Sequence, residues 1–206
     1  MYTVTATALG KRFNREWIFS NLSITLNQGD SVAILGKNGS GKSTLLQCVA
    51  GSMEPTNGEV AITHNNQPIP AADAYQVVGI VAPYLELVEE FTTTEMLEFH
   101  GKFKTIKAGF TISGILEALG FTTIAHKPIK QFSSGMKQRM KLALAFYFDN
   151  PLLLLDEPCS NLDVQGIRWY QQLCQQFAHQ HIFMVGSNDV AEYAFCKQQL
   201  NIQQFK

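Results

Sequence analysis

Between a short apolar run, Ser31-Val32-Ala33-Ile34-Leu35, and a stretch of helical composition, Ser43 to Ala50, stands Gly36-Lys37-Asn38-Gly39-Ser40-Gly41-Lys42-Ser43. It matches G-x-x-x-x-G-K-[ST] in full, and it constrains the fold more than any other segment because the pattern works only between a buried strand and a helix start. The glycines let successive backbone N–H groups converge on phosphate oxygens, and the positive end of the following helix adds its attraction. Lys42 supplies a mobile ammonium for β- and γ-phosphates, the Ser43 hydroxyl can ligate Mg²⁺, and Thr44 adds an α-phosphate contact. A phosphate-binding P-loop in an α/β fold follows.

A second segment fits the first. Leu152-Leu153-Leu154-Leu155-Asp156-Glu157-Pro158 is an apolar strand ending in two acids, which a buried strand tolerates only at its exposed carboxyl end. That end is where α/β sheets bind ligands. Asp156 is expected to hold Mg²⁺ through a water, and Glu157 to polarise the water that attacks the γ-phosphate.

Around these motifs the chain alternates. Leu22, Ile24 and Leu26 interleave with Ser23 and Thr25, the period of a half-buried antiparallel strand, before the turn Asn27-Gln28-Gly29-Asp30. From Thr92 to about Gly120 the spacing is helical, with Met96, Leu97 and Phe99 on one side and Ile112, Ile115, Leu116 and Leu119 about a turn apart. An apolar helix through Phe148, a helix over Ile167 to Phe177 and a strand over Ile182 to Val185 complete the pattern. His181 is expected at the surface.

Composition removes several function classes. In 206 residues with a net charge of −1 there is room for one substantial domain and no basic field to hold nucleic acid, so none is expected as a partner. Cys48, Cys159, Cys174 and Cys196 form no CxxC pair, which argues against a zinc site or disulfide framework and for a reduced, cytoplasmic setting. The first residues do not read as a secretory signal, and no stretch approaches the roughly 20 apolar residues of a spanning helix.

Between the two phosphate motifs lies Phe132-Ser133-Ser134-Gly135-Met136-Lys137-Gln138-Arg139, and beyond them Ser160-Asn161-Leu162-Asp163. The first resembles the LSGGQ-type signature of ABC ATPases and the second their D-loop, in the family's order and over nearly the whole chain. The chain is thus similar to ATP-binding subunits of ABC transporters, of the small single-domain type. The resemblance implies an α/β P-loop NTPase fold of ABC type: one domain with an antiparallel β layer, a core of about 1–83 and 140–206, and an inserted helical lobe of about 84–139. It implies that Ser133, Ser134, Gly135 and Met136 reach the ATP of an opposite subunit. ATP would then be enclosed in a homo- or heterodimer, peripheral on the inner face of the membrane through permease subunits. Phe13, at the family's distance before the P-loop, is the candidate for stacking on adenine, with Trp17 a nearby competitor.

Two positions depart from the family. Alignment on Gly79 and on Thr92 to Glu95 places Pro83 where a glutamine touches Mg²⁺ and the attacking water; in a slipped register Glu86 could approach the metal instead. Proline has neither a side-chain amide nor an N–H. Asn188 stands in place of the histidine that senses the γ-phosphate; it can donate a hydrogen bond but cannot exchange a proton near neutral pH. ATP binding is expected to be retained, and hydrolysis to be slow or dependent on a partner.

Overall fold

The computed structural model describes residues 1–206. Strands β1 (Tyr2–Phe13) and β2 (Glu16–Asn27) form an antiparallel hairpin, and β4 (Asn57–His64) and β5 (Gln67–Pro68) extend it on the far side of β1. Leu22 and Leu26 are buried while Ser23 and Thr25 are exposed, as the alternation requires.

The second sheet is parallel, in the order β6 (Val78–Val81), β7 (Leu152–Asp156), β8 (Ile182–Gly186), β3 (Ser31–Leu35), β9 (Gln198–Asn201). Both of its faces are covered, which explains why β7 and β8 are apolar without alternation. Successive residues nevertheless enter different cores. Leu153, Leu155, Phe183 and Val185 pack with α4 (Ser134–Phe146), α5 (Val164–Gln176) and the lobe helices α2 (Thr93–His100) and α3 (Ile112–Leu119). Leu152, Leu154, Ile182 and Met184 pack with α1 (Lys42–Val49) and the antiparallel sheet.

Local chemistry marks the lobe helices. Thr92 caps α2 in a reciprocal box with Glu95, and α3 runs from the cap Thr111 to Gly120, whose φ of 71° ends it. Met96 and Leu97 are buried as expected, but Phe99 is 38% exposed and packs edge-on between Phe91 and Phe103. The expected limit between lobe and core at 139/140 falls inside α4, which ends two residues before Phe148.

His181 corrects an expectation. It is 1% exposed, because it leads into the central strand β8 among Phe146, Phe177 and Phe183. Its Nδ1 lies 2.6 Å from the Asn150 carbonyl and its Nε2 2.8 Å from Lys107 Nζ. Burial, with the Lys107 charge, pushes its pKa down to about 3. No helix is long and apolar enough to cross a membrane.

Candidate functional site

Four parallel strands deliver their carboxyl ends to one edge: β3 runs into Gly36, β6 into Ala82-Pro83, β7 ends at Asp156 and β8 leads to Ser187-Asn188. Register pairs Asp156 with Gly186 and Ile34 with the same glycine, so the three central ends are level.

The P-loop hands the chain directly to α1. Gly41 is the N-cap with a φ of 108°, and a Cβ there would meet Ile18 Cγ2 at 2.4 Å, so no side chain fits. Lys42 is 6% exposed and its ammonium turns back into the loop, donating to the Gly36 carbonyl at 2.8 Å. A cavity of about 220 Å³ opens here, lined by Asn38, Gly39, Gly41, Lys42, Ser43, Thr44, Glu157 and Ile18. Lys37 is exposed at the loop's rim, and Ser40 is buried with its Oγ unpartnered.

Asp156 is buried, 3% exposed, with its carboxyl against the Ser43 side chain. Burial raises its carboxyl above the usual range, Ser43 and Lys42 draw it down, and the Glu157 charge pushes it up. No cluster of three His, Cys, Asp or Glu is present, so a cation would have to take oxygens from phosphate besides Ser43 and Asp156. That sparse oxygen donor set suits Mg²⁺, which takes few protein ligands and keeps phosphates and waters. Glu157 is exposed, in left-handed backbone geometry with φ 45°, its N–H held by the Gly186 carbonyl at 3.0 Å.

Asn188 lies against the P-loop. Its Oδ1 accepts from the Gly36 N–H at 3.3 Å and its Nδ2 donates to Asn38 Oδ1 at 3.5 Å. A second cavity, of about 270 Å³, shares Asn38 and Glu157 with the first and adds Ser160, Asn188, Asp189 and Glu192. Pro83 follows the buried Ala82 and is exposed. Glu86 is turned away from the acids into a different cavity, with His100, Lys104 and Lys141.

Ser133 caps α4, accepting from the Met136 N–H at 3.2 Å. Ser133 and Ser134 are exposed, Gly135 and Met136 half-buried, and none of them lines the P-loop cavity. Instead they sit on the D-loop: a Cβ on Gly135 would come within 2.7 Å of the Asn161 carbonyl. Arg139 reaches Asp163 at 3.3 Å, and Asp163 caps α5 through the Gly166 N–H at 2.7 Å, the contact that most lowers its pKa.

Phe13 is 44% exposed at the end of β1, with Lys11 Nζ 5.2 Å from its ring. Trp17 is paired with Arg12 at 5.3 Å. Two residues, one beside the P-loop and one on its helix, carry no sequence signal. Ile18 touches the P-loop, and Gln47, one turn beyond Ser43 on the same side of α1, shares a cavity with Tyr84. An aliphatic residue in a strand and a glutamine in a helix carry no pattern that could have singled them out.

A parallel sheet with a P-loop after β3, two acids at the end of β7 one strand removed from it, and an attached helical lobe define a nucleotide-binding cassette. The ABC transporter family profile matches residues 19–160, and the chain belongs to that family. An uncharacterised ABC transporter ATP-binding protein of Bacillus subtilis, YcbN, is 31% identical over 87% of this chain, which spans 59% of that relative. The cytochrome c biogenesis ATP-binding export protein CcmA of Brucella abortus is 32% identical over 85% of the chain and 80% of its own length. Among solved structures, a putative ABC transporter ATP-binding protein of Pyrococcus furiosus superposes with a TM-score of 0.81 at 18% identity, covering 99% of both chains. A dimeric ATP-binding cassette in a post-hydrolysis state, bound to ADP and Pi, gives 0.80 at 22% identity over 97% and 94%. At these identities the two structures show the shared fold.

Proposed function

We propose that the chain is the ATP-hydrolysing subunit of an ABC transporter, in which two copies close around Mg-ATP and move membrane permease subunits. The observation that carries this reading is the gathering of Lys42, Ser43 and Glu157 on one cavity, with Asp156 buried against Ser43, while Ser133 and Ser134 stand outside it, exposed at a helix start. A helix N-terminus with free N–H groups and hydroxyls favours an anion, so a second copy could offer it to the γ-phosphate. The family relationship supports the same arrangement.

In this reading Gly36 to Thr44 wrap the phosphates and Phe13 stacks on the base; Ser43 and Asp156 would hold Mg²⁺, which would supply charge neutralisation, and Glu157 accepts a proton from the attacking water. Asn188 orients the γ-phosphate by hydrogen bonding alone. The lobe, about 84–139, transmits closure to the permease, with α4 as the rigid link because it crosses that limit. Tyr84, Val88, Phe99 and Phe103 leave apolar surface on this side of the molecule, 46, 40, 38 and 57% exposed, which suits a protein partner at the inner face of the membrane.

Pro83 and Asn188 favour slow or partner-dependent turnover, and they keep a second reading in view, an ATP-clamped dimer that acts as a switch or scaffold. Steady-state hydrolysis by the purified chain tests this. Slow turnover alone, accelerated by a co-purifying permease, is expected. Brisk turnover without any partner, lost in Glu157→Gln, contradicts it.

A further inference from the structure

The peptide unit between Pro158 and Cys159, immediately after Glu157, is gripped at both ends by buried side chains from two different helices. Gln138 of α4, 3% exposed, donates from Nε2 to the Pro158 carbonyl at 2.7 Å. Glu192 of α6 (Val190–Tyr193), 5% exposed, accepts from the Cys159 N–H at 2.7 Å through Oε1. A peptide without these partners would leave a buried donor and acceptor unsatisfied.

Glu192 is itself fixed from behind. Tyr170 on α5 donates to its carbonyl at 2.8 Å, Gln171 donates to the Ala191 carbonyl at 2.9 Å, and Asp189 caps the Ala191 N–H at 2.9 Å. The carboxyl faces Ser187, and Asp189 and Glu157 are its acidic neighbours. Gln138 belongs to the helix that opens with Ser133 and Ser134, and Glu192 to the segment that opens with Asn188. The clamped peptide in turn begins the D-loop, where the Ser160 N–H bonds the Glu157 carbonyl and the Leu162 N–H bonds the Cys159 carbonyl, both at 3.0 Å.

We infer that Gln138 and Glu192 form a two-sided peptide clamp that positions Glu157, holding its left-handed backbone in place and tying the signature helix and the Asn188 segment to the same turn. They are positioning residues, since neither reaches the phosphate cavity that Lys42 and Ser43 line. The left-handed conformation costs energy in a residue with a Cβ and persists only where the surroundings over-determine it. Two charged or amide side chains on one peptide supply that constraint. The clamp's catalytic meaning rests on the ATPase reading above; its structural meaning does not.

The test is single-turnover hydrolysis of Mg-ATP by the whole chain, with nucleotide affinity measured separately. Glu192→Ala and Gln138→Ala are each expected to slow turnover by about tenfold or more, with affinity nearly unchanged, because a displaced base loses rate without touching the P-loop. Glu192→Gln keeps an acceptor oxygen and should recover most of the rate. The double Ala variant should be little worse than either single one, since both act on one peptide. Wild-type turnover in Glu192→Ala, or affinity falling in step with rate, overturns the proposal. Amide exchange gives a readout independent of hydrolysis: Cys159 should exchange faster in Glu192→Ala while Gly41 and Lys42 do not change. If the native chain does not hydrolyse ATP, the ATPase reading fails and exchange alone decides; unaltered Cys159 protection refutes the clamp.

Discussion

Asn188 stands where a histidine would carry charge, and its amide is engaged by the P-loop on both sides, through the Gly36 N–H and Asn38. An amide in that place aligns groups but moves no proton. Asn188→His should therefore raise turnover, by about tenfold if a proton-exchanging group is what the site lacks, and bring in a pH dependence near about 6.5. Turnover profiles of both proteins from pH 5.5 to 8.5 would check this, and an unchanged flat profile in the variant would contradict it. At this scale much of the site was legible. A glycine loop ending in Lys42-Ser43 and a strand ending in Asp156-Glu157 announce their geometry, because few other structures tolerate those residues in that order. Ile18, Gln47, Gln138 and Glu192 were not legible as contacts, since their roles come from long-range packing that no local pattern encodes.

Among the elements, β3, β7 and β8 were readable because a strand buried on both faces must be continuously apolar. His181 was misread for a related reason: it sits at the mouth of such a strand, where polarity suggests surface but the aromatic layer of α4 and α5 closes over it. In the lobe helix α2, His100 has its Nε2 buried without a partner, and burial, with the Lys104 charge, pushes its pKa down to about 4. Both histidines are neutral in the fold and protonate more readily in the unfolded chain. At these two sites native and unfolded chains bind the same protons well above pH 6.5, and below it the unfolded chain binds more, so their contribution to stability falls as pH drops towards 4. Each histidine contributes at most about 1.4 kcal/mol per pH unit. His100→Phe, which keeps an aromatic ring against Phe148, should show a smaller fall in its urea midpoint between pH 7 and 5 than the native chain. An equal fall would exclude His100 as a source of acid sensitivity.

In the molecule as a whole, the signature serines stand outside the P-loop cavity. Lys42, Ser43 and Glu157 line the P-loop cavity, and the exposed Ser133 and Ser134 begin a helix that rests on the D-loop of the same chain through Gly135 and Arg139. Neither group completes the other within one chain; in the proposed function a second copy supplies what each lacks. This is the central claim, and blocking hydrolysis exposes it. Light scattering on Glu157→Gln with Mg-ATP should give twice the 22.9 kDa of one chain, returning to the single mass when Mg-ATP is withdrawn or when Ser133 is replaced by Arg. A single-chain mass at saturating Mg-ATP would contradict the account.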